Sequence, residues 1–138
     1  MKPDLSHEVE LTPTFHDLDP MDIVWHGNYV RFLEAARAAL LEKFNYGYRQ
    51  MQASGYAWPI VDLRLKYVAS AVYGEPIVVR CTVIEWENRL RIDYEIRDQA
   101  TGKRLTTGQT TQVAVDIATR EICYVCPQVL WDRLGVTA

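Results

Sequence analysis

GNYVRFLEAARAALLEKF, from Gly27 to Phe44, is the stretch that decides the fold. Tyr29, Phe32, Leu33, Ala36, Leu40 and Phe44 recur at spacings of three and four, which sets them on one face of a helix. Ala35, Ala36, Ala38 and Ala39 favour helix and are small enough to let it lie close against a sheet. No other long helical pattern occurs in the chain. A shorter one fits between Tyr46 and Gly55, ahead of a loop at Trp58-Pro59.

Downstream of Pro59 the period changes to two. Val61, Leu63, Leu65 and Tyr67 alternate with Asp62, Arg64 and Lys66. Ile77, Val79, Cys81 and Val83 form a second such run. Leu90, Ile92, Tyr94 and Ile96 form a third, alternating with Arg91, Asp93, Glu95 and Arg97. Glu87-Asn88 supplies the turn of an antiparallel hairpin between the last two runs, and Thr101-Gly102 marks the next turn. Leu105 to Ile117 reads as one long strand rich in threonine, Ile122 to Val125 as a short one, and Pro127 starts a helical turn reaching Leu134. Upstream of the helix, Val9 to Asp17 reads as an opening strand interrupted by Pro13, followed by the turn-rich segment Asp17 to Asp22. The order predicts an α+β fold with one long helix on a curved antiparallel sheet. One helix covers only one face of such a sheet, so the other face or an edge calls for a partner and an oligomer is expected.

The 138 residues suit one domain spanning 1–138. Fifteen basic against 18 acidic side chains give a net charge of −3, with no basic footprint for nucleic acid. No apolar run is long enough to span a bilayer, and the polar MKPDLSHEVE start lacks the apolar stretch of a secretory signal, so a cytoplasmic protein is expected. Three cysteines make no disulfide framework, Cys123-Tyr-Val-Cys126 is a lone C-x-x-C pair with no second pair to complete a four-ligand zinc site, and Cys81 alternates with core valines. Neither a G-x-S-x-G elbow nor a Gly-rich phosphate loop is present.

What remains is Phe15 to Tyr29, where Asp17, Asp19, Asp22, His16 and His26 gather just ahead of the helix. A helix start exposes unpaired N–H groups and a partial positive charge. Such groups can hold the oxygen of a polarised carbonyl while a carboxylate attacks it or activates water. Acidic residues at this place also serve as helix caps and turn formers. Asp17 and Asp19 share one side if the chain is still extended there.

The run D-x-D-P-M-D-I-V-W-H-G-N-Y resembles the signature of the hotdog-fold acyl-CoA thioesterases, in particular the 4-hydroxybenzoyl-CoA thioesterase and Tol-Pal-associated group. It comprises Asp19, Ile23-Val24, Trp25, His26 and Asn28-Tyr29, and the strand order extends the resemblance over most of the chain. The resemblance implies a hotdog fold and hydrolysis of an acyl-CoA or acyl-carrier-protein thioester, with no metal or redox cofactor. It places the catalytic carboxylate on Asp19, as nucleophile or general base. It places on His26 the backbone N–H that polarises the thioester oxygen. Asn28 and Tyr29 are read as structural. Asp22 stands where many members have Gly and is the reserve carboxylate.

The family also implies a homodimer, doubled to a homotetramer, with the acyl group between subunits and Val61 to Tyr67 of the neighbour lining part of its pocket. Trp25, Tyr56 and Trp58 suit an aromatic or long acyl group and suit a core or interface equally well. Arg89, Arg91 and Arg104 fall on the exposed strand face, the ordinary place for such charges. A hotdog dehydratase or hydratase and a non-catalytic acyl-binding subunit are the rival functions.

Overall fold

The computed structural model describes residues 3–137. Five strands form the main antiparallel sheet: β1 (Ser6–Leu11), β3 (Ile60–Tyr67), β4 (Ile77–Glu85), β5 (Leu90–Asp98) and β6 (Arg104–Gln112). Their order is β1-β4-β5-β6-β3. A smaller sheet has the order β2-β7-β8, from β2 (Tyr56–Ala57), β7 (Ala114–Asp116) and β8 (Ile122–Cys123). The ladder from β3 onto β6 runs on from β2 onto β7, with an irregularity between Ile60 and Asp62. The long expected strand from Leu105 to Ile117 therefore breaks at Val113 and serves both sheets.

The long helix α1 (Asn28–Lys43) packs on β1 and β4, as its periodicity predicts. Tyr29, Phe32, Leu33, Ala36 and Leu40 are buried. Phe44 is the C-cap and only half-buried, and Leu41 takes its place on the inner face, because the last turn unwinds before Phe44 can continue the stripe. Each fully buried Leu or Ile on this interface contributes roughly 2 kcal/mol. Small residues set the closeness of helix and sheet. The Cys81 thiol reaches the Ala36 carbonyl at 3.4 Å, and a side chain on Gly108 would meet Leu33 and Leu65 at 3.2 and 3.1 Å. Inward residues of β4 and β5, Ile77, Val79, Cys81, Val83, Leu90, Ile92, Tyr94 and Ile96, complete the core. The helix α2 (Tyr48–Ala53) and a C-terminal helix α3 (Gln128–Leu134), with Pro127 as N-cap, finish the chain.

The opening strand is shorter than its pattern suggests. It ends at Leu11, and Phe15–Asp17 turns into a 3₁₀ helix. Pro13 cannot donate to a ladder, and Thr14 caps the turn. Asp17 N–H donates to the Thr14 carbonyl at 3.0 Å, while the Asp17 carboxylate accepts from Thr14 N–H at 2.8 Å and from its hydroxyl at 3.1 Å. Asp17 and Asp19 therefore do not share one side of an extended strand. Asp17 is buried and Asp19 is half-exposed.

Candidate active site

The segment from Leu18 to Val24 is a miniature hairpin that leads the chain back to the start of α1. Leu18 and Val24 form an antiparallel bridge, Asp19 N–H donates to the Ile23 carbonyl at 2.8 Å, and Asp22 N–H donates to the Asp19 carbonyl at 3.0 Å. Pro20 stands second in that turn, where its fixed φ is favourable. Asp22 closes the loop at φ +65°. This is the left-handed position of a three-residue hairpin loop, which glycine fills most easily and Asp tolerates. The Gly expected from the family pattern thus meets a backbone demand, and Asp22 meets it too with an exposed side chain.

Asp19 heads this loop. One carboxylate oxygen accepts from Met21 N–H at 2.8 Å, and no protein donor to the other is found among the described residues. Its charge also reaches the core phenol of Tyr29, which is pushed above its usual range by burial first and by the nearby Tyr67 and Asp19 in lesser part.

Two hydrogen bonds then orient the peptides at the helix start. Asn28 N–H donates to the Trp25 carbonyl at 2.9 Å, and the Tyr67 hydroxyl donates to the His26 carbonyl at 2.7 Å. In a trans peptide the N–H points opposite to its C=O. With both carbonyls engaged, the N–H groups of His26 and Gly27 face the other way, and among the described residues neither has a protein acceptor. A helix N-terminus with free N–H groups is an anion site by charge and by geometry. A Cβ on Gly27 would lie 2.2 Å from the Trp25 ring, so a side chain there would have to displace that exposed indole.

A second layer holds this arrangement. The Asn28 side chain donates to the Asp17 carbonyl at 2.8 Å, and Trp25 N–H reaches the same oxygen at 2.9 Å. The Asp17 carboxylate pairs with Arg31, one turn into α1. Burial pushes this carboxyl up, but the bonds from Thr14 and the Arg31 charge outweigh it and hold it below its usual range. Tyr29 sends its ring into the core and accepts from Ala71 N–H at 2.9 Å. His26, Tyr29 and Tyr67 rings meet edge to face.

His26 and Gly27 thus stand together with Tyr67, and Asp19 heads the loop leading to them and acts electrostatically on Tyr29; neither Tyr67 nor Gly27 is singled out for chemistry by the sequence. Tyr67 reads as the last apolar residue of an alternating strand, and its hydroxyl gives no periodic signal. Trp58 is a core residue whose ring N–H donates to the Tyr46 hydroxyl at 3.2 Å, whereas Trp25 is 48% exposed beside His26. Arg91 and Arg104 lie on the outer strand face and Arg89 in the turn before β5, paired with Glu85, Glu95 and Glu85 respectively.

The model of the thioesterase-like superfamily matches residues 13–131. The chain belongs to this superfamily. This thioesterase is 31% identical over 120 residues to an esterase-named protein of Synechocystis, covering 86% of this chain and 72% of that one. It is 34% identical over 85 residues to an acyl-CoA-thioesterase-named protein of Bacillus subtilis, covering 62% of this chain and 61% of the other. The crystal structure of a Synechocystis 1,4-dihydroxy-2-naphthoyl-CoA thioesterase superposes with a TM-score of 0.84 at 20% identity, covering 94% of this chain and 96% of that one. The hotdog fold is therefore shared. The reaction of the family is hydrolysis of a thioester to an acid and a thiol. No helix among the described residues is long and apolar enough to cross a membrane.

Proposed function

We propose that this thioesterase hydrolyses an acyl-CoA or acyl-carrier-protein thioester, with Asp19 as the working carboxylate and the N–H groups of His26 and Gly27 as the oxyanion donors. The observation that carries this reading is the pair of unengaged N–H groups at the helix start, entered from a loop headed by Asp19, one of whose carboxylate oxygens has no protein donor among the described residues. The acyl carbonyl oxygen sits against the N–H groups. They bind it more strongly as charge develops on it in the transition state, which lowers the barrier rather than only tightening binding. Asp19 either attacks the carbonyl carbon, expelling the thiolate to leave an anhydride that water cleaves, or takes a proton from the attacking water. The His26 side chain remains a candidate to orient that water. CoA, the thiol in the name of the B. subtilis relative, is the first to try.

The whole of 1–138 works as one catalytic unit, paired through β3. Both outer strands of the main sheet have a free edge, and their side chains differ. β1 bears Glu8 and Glu10, charges that discourage pairing. β3 and the residue after it expose Ile60, Val61, Leu63, Tyr67 and Val68, an apolar band that one copy leaves uncovered. A two-fold pairing of β3 with β3 buries that band and completes the edge. A further doubling to a tetramer would use other faces. Three free thiols fit a reducing compartment such as the cytoplasm.

Thiol release from benzoyl-, butyryl- and dodecanoyl-CoA tests the reaction, and no release from these or from the matching carrier-protein thioesters overturns it. Tyr67→Phe keeps the ring and removes the bond to His26. One such bond is worth about 1.4 kcal/mol, so kcat/KM falls about tenfold while Tm drops by only a few degrees. An unchanged kcat/KM would remove Tyr67 from the machinery. Light scattering should give two or four times the chain mass for the wild type and half that mass for Val61→Asp, which sets a charge in the centre of the band.

A further inference from the structure

Among the described residues, one hydrogen bond ties the hairpin from Leu18 to Val24 to a distant part of the chain. The bonds from Asp19 N–H to Ile23 and from Asp22 N–H to Asp19 lie inside the loop, and Leu18 N–H reaches only Phe15. Val24 N–H instead donates to the Ala71 carbonyl at 3.0 Å. The Asp19 side chain bonds only within its own loop, to Met21 N–H, so its place relative to the helix start follows the hairpin as a body.

Ala71 is buried, yet it belongs to no helix or strand. It lies in the loop after β3. Val68 and Ala69 N–H hold the start of that loop on the Leu105 carbonyl at 2.8 and 2.9 Å, and Gly74 N–H reaches the Pro13 carbonyl at 3.1 Å. Between these ties the Ala71 N–H donates to the Tyr29 hydroxyl at 2.9 Å. A buried N–H needs such a partner, and here a side chain supplies what a ladder would supply in a sheet. Both peptide groups of Ala71 are thus engaged, which fixes the direction in which its carbonyl receives Val24. Tyr29 is itself rigid. It is the second residue of α1, and its buried ring packs edge to face on Phe32 and Tyr67, with centroids 5.8 and 5.1 Å away. A chain of contacts therefore runs from the core helix through the Tyr29 hydroxyl and Ala71 to Val24. Val24 is bridged to Leu18, the residue before Asp19. Misplacing a reacting group by ~1 Å costs about 10²-fold in rate, so a tie of this kind matters to chemistry as well as to folding.

We infer that Tyr29 is a positioning residue for thioester hydrolysis: its hydroxyl holds Ala71, and Ala71 holds the hairpin where Asp19 meets a carbonyl carbon bound at the helix start. The ring of Tyr29 serves the core, and its hydroxyl serves the reaction. This inference rests on the reading of Asp19 as the working carboxylate.

The test measures kcat and KM of the full chain, well below Tm, on whichever of benzoyl-, butyryl- and dodecanoyl-CoA the wild type turns over fastest. Tyr29→Phe keeps the ring and removes only the acceptor. It should lower kcat about tenfold with KM within about twofold, and Tm by a few degrees. In the Asp19→Asn background no carboxylate is left to position, so adding Tyr29→Phe should change kcat by less than about twofold. A purely structural loss would instead appear in both backgrounds. Ile96→Val trims the buried face of β5, lowers Tm by a similar amount and should leave kcat within about twofold. The inference is overturned, with Asp19 left in its role, by any of three results: kcat of Tyr29→Phe within about twofold of the wild type, an equal loss in the Asp19→Asn background, or an equal loss in Ile96→Val. No turnover by the wild type, or undiminished kcat in Asp19→Asn, overturns the catalytic reading and this inference with it.

Discussion

Asp19→Asn lowers kcat/KM for thioester hydrolysis by about 10²–10⁴, the usual worth of a positioned acid–base or nucleophilic group. The amide can neither attack the carbonyl carbon nor accept a proton from water at neutral pH. It still offers an oxygen to Met21 N–H, the one local bond the Asp19 side chain makes, so the small hairpin keeps its shape. Asp19 is half-exposed, and a change there should move stability by no more than about 0.5 kcal/mol. Thiol release at saturating and subsaturating acyl-CoA, alongside a melting curve, checks both parts. A loss concentrated in kcat places the carboxylate in the transition state rather than in substrate binding. A loss of less than threefold excludes Asp19, and the same assay on Asp22→Asn then examines the carboxylate three residues along.

Asp17→Asn has the larger effect on stability. Asp17 binds the Thr14 turn through its carboxylate and the start of α1 through Arg31, and its carbonyl accepts from both Trp25 and Asn28. Hydrogen bonds to a buried charge are worth roughly 1.5–3 kcal/mol, so the substitution should cost about 2 kcal/mol and lower Tm by several degrees. Arg31 is 56% exposed and remains solvated when its partner is lost, which keeps the penalty below that of a fully buried broken pair. Activity should fall as well, because the loop bearing Asp19 and the helix start bearing the N–H groups are joined through this residue.

The dependence on pH has a definite sign. The Asp17 carboxyl is held below its ordinary value of 3.8 in the folded protein, so the unfolded chain binds its proton first as the pH falls. Its stabilisation is complete above about pH 5, by the width of a single titration. It is lost as the pH drops through 3.8 towards the lowered folded value. Denaturant melts at pH 7 and pH 3 should show a gap between wild type and Asp17→Asn that narrows in acid. A gap of equal size at both would mean that the charge on Asp17 contributes nothing.

The alternation of Ile77 to Val83 and of Leu90 to Ile96, and the three-and-four spacing from Tyr29 to Leu40, were enough to read one helix on an antiparallel sheet. Burial of one face is a local, periodic property, and it survives intact in the sequence. The position of Asp19 just before a helix was legible for the same reason, since helix starts and turn formers are local signals. Other features depend on residues far apart in the chain. Asp17 reads as a twin of Asp19, and only Thr14 and Arg31 closing on it make it a buried anchor. Tyr67 lies 41 residues from His26 and acquires its role when β3 brings its hydroxyl to the His26 carbonyl. Gln112 reads as the end of a threonine-rich strand, and only the fold brings its buried amide N–H to the Trp58 carbonyl, 54 residues away in the chain. Sequence pattern therefore determined which faces are buried and which carboxylate stands just ahead of the long helix. Tertiary structure alone decided which polar atoms are engaged and which are left free, because a hydrogen bond depends on distance and direction across the fold rather than on spacing along the chain.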